Sequence, residues 1–126
     1  MAHNVLRIGR KLVGVGQPVF VIAEAGVNHN GKLDLALRLV DAAAKACADA
    51  IKFQTFRAEE VVTKSGKMAA YQKKNIGRSA SQLAMLKSLE LRESFYGPIM
   101  KRCREKNILF LSTPHGSFAA VDFLHQ

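Results

Sequence analysis

The chain has 126 residues, of which 48% are hydrophobic and 23% charged. This is enough apolar material for a folded core, which argues against intrinsic disorder, and no apolar run approaches the roughly 20 residues of a membrane span. Nineteen Lys and Arg against ten Asp and Glu give a net charge of +9, which favours anionic partners. The basic residues are dispersed, however, and there is no tryptophan. The aromatic-basic interleaving of a nucleic-acid surface is therefore missing, and no nucleic-acid partner is expected.

The opening, MAHNVLRIGRK, lacks the apolar centre of a signal peptide, so a cytoplasmic protein without membrane attachment is expected. Val5 to Ile8 and Leu12 to Val15 read as a short β-hairpin around Gly9, Arg10 and Lys11. After Gly16-Gln17-Pro18, Val19 to Ala25 reads as a fully buried strand. Leu33, Leu37, Val40, Ala44 and Cys47 then fall on one face at helical spacing. Ala50 to Phe56 is a second strand. The polar stretch from Arg57 through Ser81 shows no convincing core period, and a connection of that length is usually functional or mobile. Helical spacing resumes over Gln82 to Leu89. A further helix is expected from a Ser94 cap, with Pro98 in its first turn and Phe95, Ile99 and Cys103 on one face. Ile108 to Ser112 is a third buried strand, and another helix begins after Ser117. Both cysteines, Cys47 and Cys103, lie in helical patterns without metal or redox spacing and are expected to be reduced core thiols.

Alternating strand and helix means a parallel sheet covered by helices. A doubly wound sheet usually carries a glycine-rich turn after a strand, and neither GxGxxG nor GxxxxGK[ST] is present. A (β/α) barrel explains better why each strand ends in polar groups, because barrel enzymes place their chemistry at the carboxyl ends of the strands. The first strand gives Glu24, then Asn28, His29 and Asn30; the second gives Lys52, Gln54 and Thr55; the third gives Ser112 and Thr113. Lys52 and Gln54 are two apart and point the same way, while Phe53 points to the other side. Together these ends offer an ammonium for an anion, with a carboxylate, amides and hydroxyls for a polyol. Each has a plainer reading too. Glu24 can be a solvated loop acid, His29 a loop cap, Gln54 a partner of backbone, and Thr113 a shaper of the turn before Pro114. The four histidines lack the i, i+4 spacing of a zinc pair.

IAEAGVNHNG, DAIKFQTF, AYQKKN, SQLAMLKSLEL and FLSTP, in this order, resemble the amino-terminal part of the sialic acid synthase family. That family comprises N-acetylneuraminate synthase and the synthases of legionaminic and pseudaminic acids. The resemblance implies that residues 1–126 form the first part of a (β/α)8 TIM barrel, preceded by a short hairpin. The remaining strands and a carboxy-terminal antifreeze-like domain would lie outside this chain, and the complete protein would be a homodimer. It implies condensation of phosphoenolpyruvate with an N-acylated hexosamine, usually N-acetylmannosamine, with release of phosphate. Lys52 and Thr113 would hold phosphoenolpyruvate, Gln54 the amino sugar, and Glu24 would act as an active-site acid. Asn28 and His29 would support substrate binding from the matching loop. A divalent Mn2+ or Mg2+ is implied as cofactor, with both histidine ligands outside this chain. Two departures are visible: Cys47 stands where glycine is common, and His115-Gly116-Ser117 replaces an aromatic and an acid. The rival readings are an aldolase using Lys52 as a Schiff base and a non-catalytic truncated barrel fragment. The 126-residue chain alone is expected to be inactive.

Overall fold

The computed structural model describes residues 5–62 and 82–126. Strands β1 (Leu6–Ile8) and β2 (Lys11–Val13) form the antiparallel hairpin. Then follow β3 (Ile22–Gly26), α1 (Leu33–Lys45), β4 (Ala50–Thr55), α2 (Ala58–Val61), α3 (Gln82–Ser88), α4 (Glu93–Glu105), β5 (Leu109–Pro114) and α5 (Phe118–His125). β3, β4 and β5 make a parallel sheet in that order. This is the first part of a (β/α)8 barrel, with the sheet not closed within the described residues. The AYQKKN motif and most of the long polar stretch lie outside those residues.

The core lies between the sheet and its helices. Ala36, Val40 and Ala43 of α1 and Ile99 and Cys103 of α4 join Ile51 and Phe53 of β4 in one buried cluster. The two helices are also tied by Arg102, whose guanidinium donates to both oxygens of Asp41 at 2.8 and 3.0 Å. At the amino ends of the strands, Asp49 accepts from the Val21 N–H at 2.8 Å and pairs with Lys11 at 2.9 Å. It thereby pins the hairpin and the approach to β3.

Several expectations are corrected. Within the described residues β3 is an edge strand rather than a fully buried one, with Ile22 46% exposed, and Val19, 83% exposed, precedes it. β5, the other edge, is only partly covered, and β4 alone is buried through the middle of the sheet. Cys47 lies beyond α1 and is exposed. It sits at φ +60°, in a terminating turn where the Cys47 N–H reaches the Ala44 carbonyl and the Ala48 N–H the Ala43 carbonyl. Glycine is the usual residue there. The same turn ends α4, with Asn107 at φ +53°. Helix α4 starts at Glu93 with no side-chain cap, and Pro98 lies inside it. The carbonyl of Ser94 that Pro98 leaves without an N–H lies on an exposed stretch, where water can serve it.

Candidate active site

β4 separates packing from chemistry by its period of two. Ile51, Phe53 and Thr55 are buried against the helices, while Lys52 and Gln54 take the opposite face. The register sets their neighbours: Glu24 of β3 lies beside Lys52, and Thr113 of β5 beside Gln54. Directly paired residues of parallel strands share a face, so Glu24, Lys52, Gln54 and Thr113 come together on one surface. The Lys52 Nζ is 2.9 Å from Glu24 Oε2. Just past Glu24 the β3–β4 register shifts, and Gly26 adopts φ +52°. A Cβ on Gly26 would lie 3.5 Å from Glu24 Oε1 and 3.7 Å from Gln54 Nε2. These are ordinary contacts, so the left-handed backbone is what calls for glycine at this point. They also show that the carboxylate and the amide converge there.

The pair is partly solvated, with Lys52 36% and Glu24 51% exposed in their side chains. An ion pair of that exposure contributes only about 0–1 kcal/mol. An arriving anion can therefore take Lys52 from Glu24 at small cost.

Other polar residues at the strand ends fall elsewhere. Thr55 and Ser112 point to the helix side, where the Thr55 hydroxyl is 2.6 Å from both Ser112 Oγ and Tyr96 Oη. They do not join Lys52 and Thr113, which corrects the expectation that all three strand ends converge with every polar group. Asn28 is exposed in the β3–α1 turn, its backbone N–H donating to the Ala25 carbonyl. The His29 side chain is completely buried and accepts from the Gly31 N–H at 3.0 Å. Its ring centroid lies 6.1 Å from that of Phe53, on the side of the sheet away from Lys52. Sequence reasoning missed Gly26 and Asp49. A glycine closing a strand of otherwise apolar and acidic residues was the available signal for Gly26; Asp49 had none.

Among the described residues no three His, Cys, Asp or Glu side chains gather as metal ligands, and no helix is long and apolar enough to cross a membrane. A cavity of about 170 Å³ lies behind the sheet, lined by Thr55, Arg57, Glu60, Tyr96 and Phe123 among others. It is on the helix side and does not open on Lys52.

The family model of the NeuB family matches residues 39–126. The chain is 45% identical over 107 residues to the spore coat polysaccharide biosynthesis protein SpsE of Bacillus subtilis, covering 85% of this chain and 28% of that protein. It is 46% identical over 116 residues to the N,N'-diacetyllegionaminic acid synthase of Legionella pneumophila, covering 92% of this chain and 32% of that one. Among solved structures it is similar to the N-acetylneuraminic acid synthetase of Leptospira borgpetersenii crystallised with citrate. That likeness has a TM-score of 0.75 and 32% identity, and covers 98% of this chain and 38% of the other. The chain spans about a third of the length of these relatives. A family match over most of the chain, five ordered motifs and a shared fold agree, and the chain belongs to the NeuB family of sialic-acid-synthase-like proteins.

Proposed function

We propose that the full-length protein is a phosphoenolpyruvate-dependent synthase that joins this three-carbon unit to an N-acylated hexosamine and releases phosphate. The observation that carries the reading is the Lys52–Glu24 pair, formed across adjacent parallel strands on the face that Gln54 and Thr113 share nearer the carboxyl ends. In the proposed reaction the methylene carbon of phosphoenolpyruvate attacks the sugar aldehyde and forms the new carbon–carbon bond. Positive charge builds on the carbon bearing the phosphate ester, water adds there, and the adduct expels phosphate to leave a 2-keto acid. The Lys52 ammonium and Thr113 hydroxyl hold the anion. Gln54 meets the sugar. Glu24, released from Lys52, stabilises the cationic stage and moves a proton. A divalent cation would polarise the aldehyde, with ligands supplied from outside the described residues.

A Schiff-base role for Lys52 fits less well, because such lysines sit in a desolvating apolar pocket or beside another cation, whereas Lys52 is 36% exposed with the Glu24 carboxylate beside it. For the sugar, the relatives favour a legionaminic acid precursor over N-acetylmannosamine. Identity is 46% to the legionaminic acid synthase against 32% to the N-acetylneuraminic acid synthetase. The test is phosphate release from phosphoenolpyruvate by the full-length protein with each candidate hexosamine, followed by mass spectrometry of the product. Sugar-dependent release with kcat/KM highest for the legionaminic precursor is expected. Highest efficiency with N-acetylmannosamine would overturn the sugar assignment, and no sugar-dependent release with any candidate would overturn the reaction.

A further inference from the structure

The β3–α1 turn is built from unusually demanding backbone. Asn30 and Gly31 both take left-handed conformations, at φ +49° and +66°. Short bonds close around them: Asn28 N–H to Ala25 O, Asn30 N–H to Val27 O, and Lys32 N–H to His29 O, at 2.9 to 3.0 Å. A Cβ on Gly31 would collide with the Ser88 carbonyl, so the turn is also pressed against the end of α3.

His29 is the buried side chain at the centre of this turn. Nδ1 accepts the Gly31 N–H at 3.0 Å, which requires Nδ1 to be unprotonated and puts the ring proton of the neutral imidazole on Nε2. Nε2 is buried without a hydrogen-bond partner among the described residues. Packing beside Phe53 calls only for an apolar side chain, so packing by itself does not explain a histidine here. The bond through Nδ1 does. Burial lowers the imidazole's basicity, with no charged neighbour contributing, so the ring stays neutral and able to accept.

We propose that His29 is a positioning residue: through Nδ1 it fixes the β3–α1 turn against Phe53 of β4, and so sets Glu24 and Gly26 against Lys52 and Gln54. Phe53 sits between Lys52 and Gln54 in the strand, so the ring and the ion pair are registered on the same residue from opposite faces. The importance of that alignment for turnover rests on the function proposed above; the alignment itself does not.

The test uses the full-length protein with 15N-labelled histidine, the His29 signal being identified by its loss in His29→Asn. At neutral pH we expect Nδ1 at the unprotonated shift and Nε2 at the protonated one. The variants then separate the two nitrogens, since asparagine can mimic Nδ1 and glutamine Nε2. The Gly26 backbone and Gln54 side-chain amide resonances should stay near their wild-type positions in His29→Asn and move in His29→Gln and His29→Leu. KM for phosphoenolpyruvate should remain within about threefold of wild type in the first and rise about tenfold or more in the other two, following the loss of a positioned contact. A wild-type ring protonated on Nδ1, or rescue by Gln and not by Asn, would overturn the proposal. The tautomer needs no variant and decides the matter if the variants misfold. Absence of turnover in wild type would refute the proposed function while leaving the resonances to judge His29.

Discussion

The two faces of the β3–β4–β5 sheet are made from the same short strands and differ in almost every physical respect. On the helix side, Ile51 and Phe53 are at most 1% exposed, and Phe53 stacks on Phe110 with centroids 5.9 Å apart. Even the polar groups there, Thr55, Ser112 and Tyr96, are satisfied by one another. On the other side, Glu24 and Lys52 form a single half-solvated pair, with Gln54 and Thr113 beside it. One face holds the fold and the other is held by it. A period of two lets β4 carry both tasks with no residue shared between them, so substitutions on the two faces should separate stability from activity.

The sharpest way to break this distinction is at Phe53. Phe53→Ala should destabilise the full-length protein by about 3–5 kcal/mol, the cost of a large cavity in a packed core. Chemical denaturation would measure it, and a loss below about 1 kcal/mol would show that the helix-side face is not the packed one.

A smaller effect tests the turn ending α1. Cys47→Gly should raise stability by about 1 kcal/mol, by removing a side chain from a left-handed position. The same residue distinguishes the thiols. Burial pushes the Cys103 thiol up to about 11, so it should label slowly in the native protein, whereas exposed Cys47 labels readily. Equal labelling rates would contradict the burial of Cys103.

The smallest effect concerns acid. The Val21 N–H and Lys11 hold the Asp49 carboxyl below its ordinary value. A depressed carboxylate contributes stability that is present above its unfolded-state pKa of about 3.9 and is lost as pH falls through the lower folded value. Amide protection factors in the hairpin, taken relative to the intrinsic exchange rate at each pH, should therefore fall below that range in wild type. In Asp49→Asn protection should already be lower at neutral pH, with the acid step reduced.

Much of this division was legible in the sequence. The alternation Ile51-Lys52-Phe53-Gln54 fixed which side chains face together, and the run of polar strand ends marked where a site would lie. What remained hidden depended on neighbours. Ser112 faces the helices because register pairs it with Phe53, and a single strand's pattern does not reveal its register. Val19 to Ile22 are as apolar as β4, yet only Ile22 enters the sheet, at a strand that is an edge within the described residues, and Val19 to Val21 precede it. Cys47 continued the helical spacing of α1 by one more step, but the helix had already ended in a turn made by backbone bonds. Of the two readings of His29, loop cap or substrate-side residue, the structure shows the cap, with Nδ1 accepting the Gly31 N–H; that the turn folds its ring behind the sheet toward Phe53 was the hidden part.

If the open face binds the anion through Lys52, Lys52→Met should weaken that binding and spare the fold. Methionine keeps much of the stem volume and removes the charge. Phosphate release from phosphoenolpyruvate and the denaturation midpoint should be measured on the same full-length sample. A fall in kcat/KM on the order of hundredfold or more is expected, as for loss of an electrostatic contact in a preorganised site. Stability should change by no more than about 1 kcal/mol, since only a partly solvated ion pair is lost. Near-normal turnover with unchanged phosphoenolpyruvate affinity, or a loss of activity matched by unfolding, would contradict this role of Lys52.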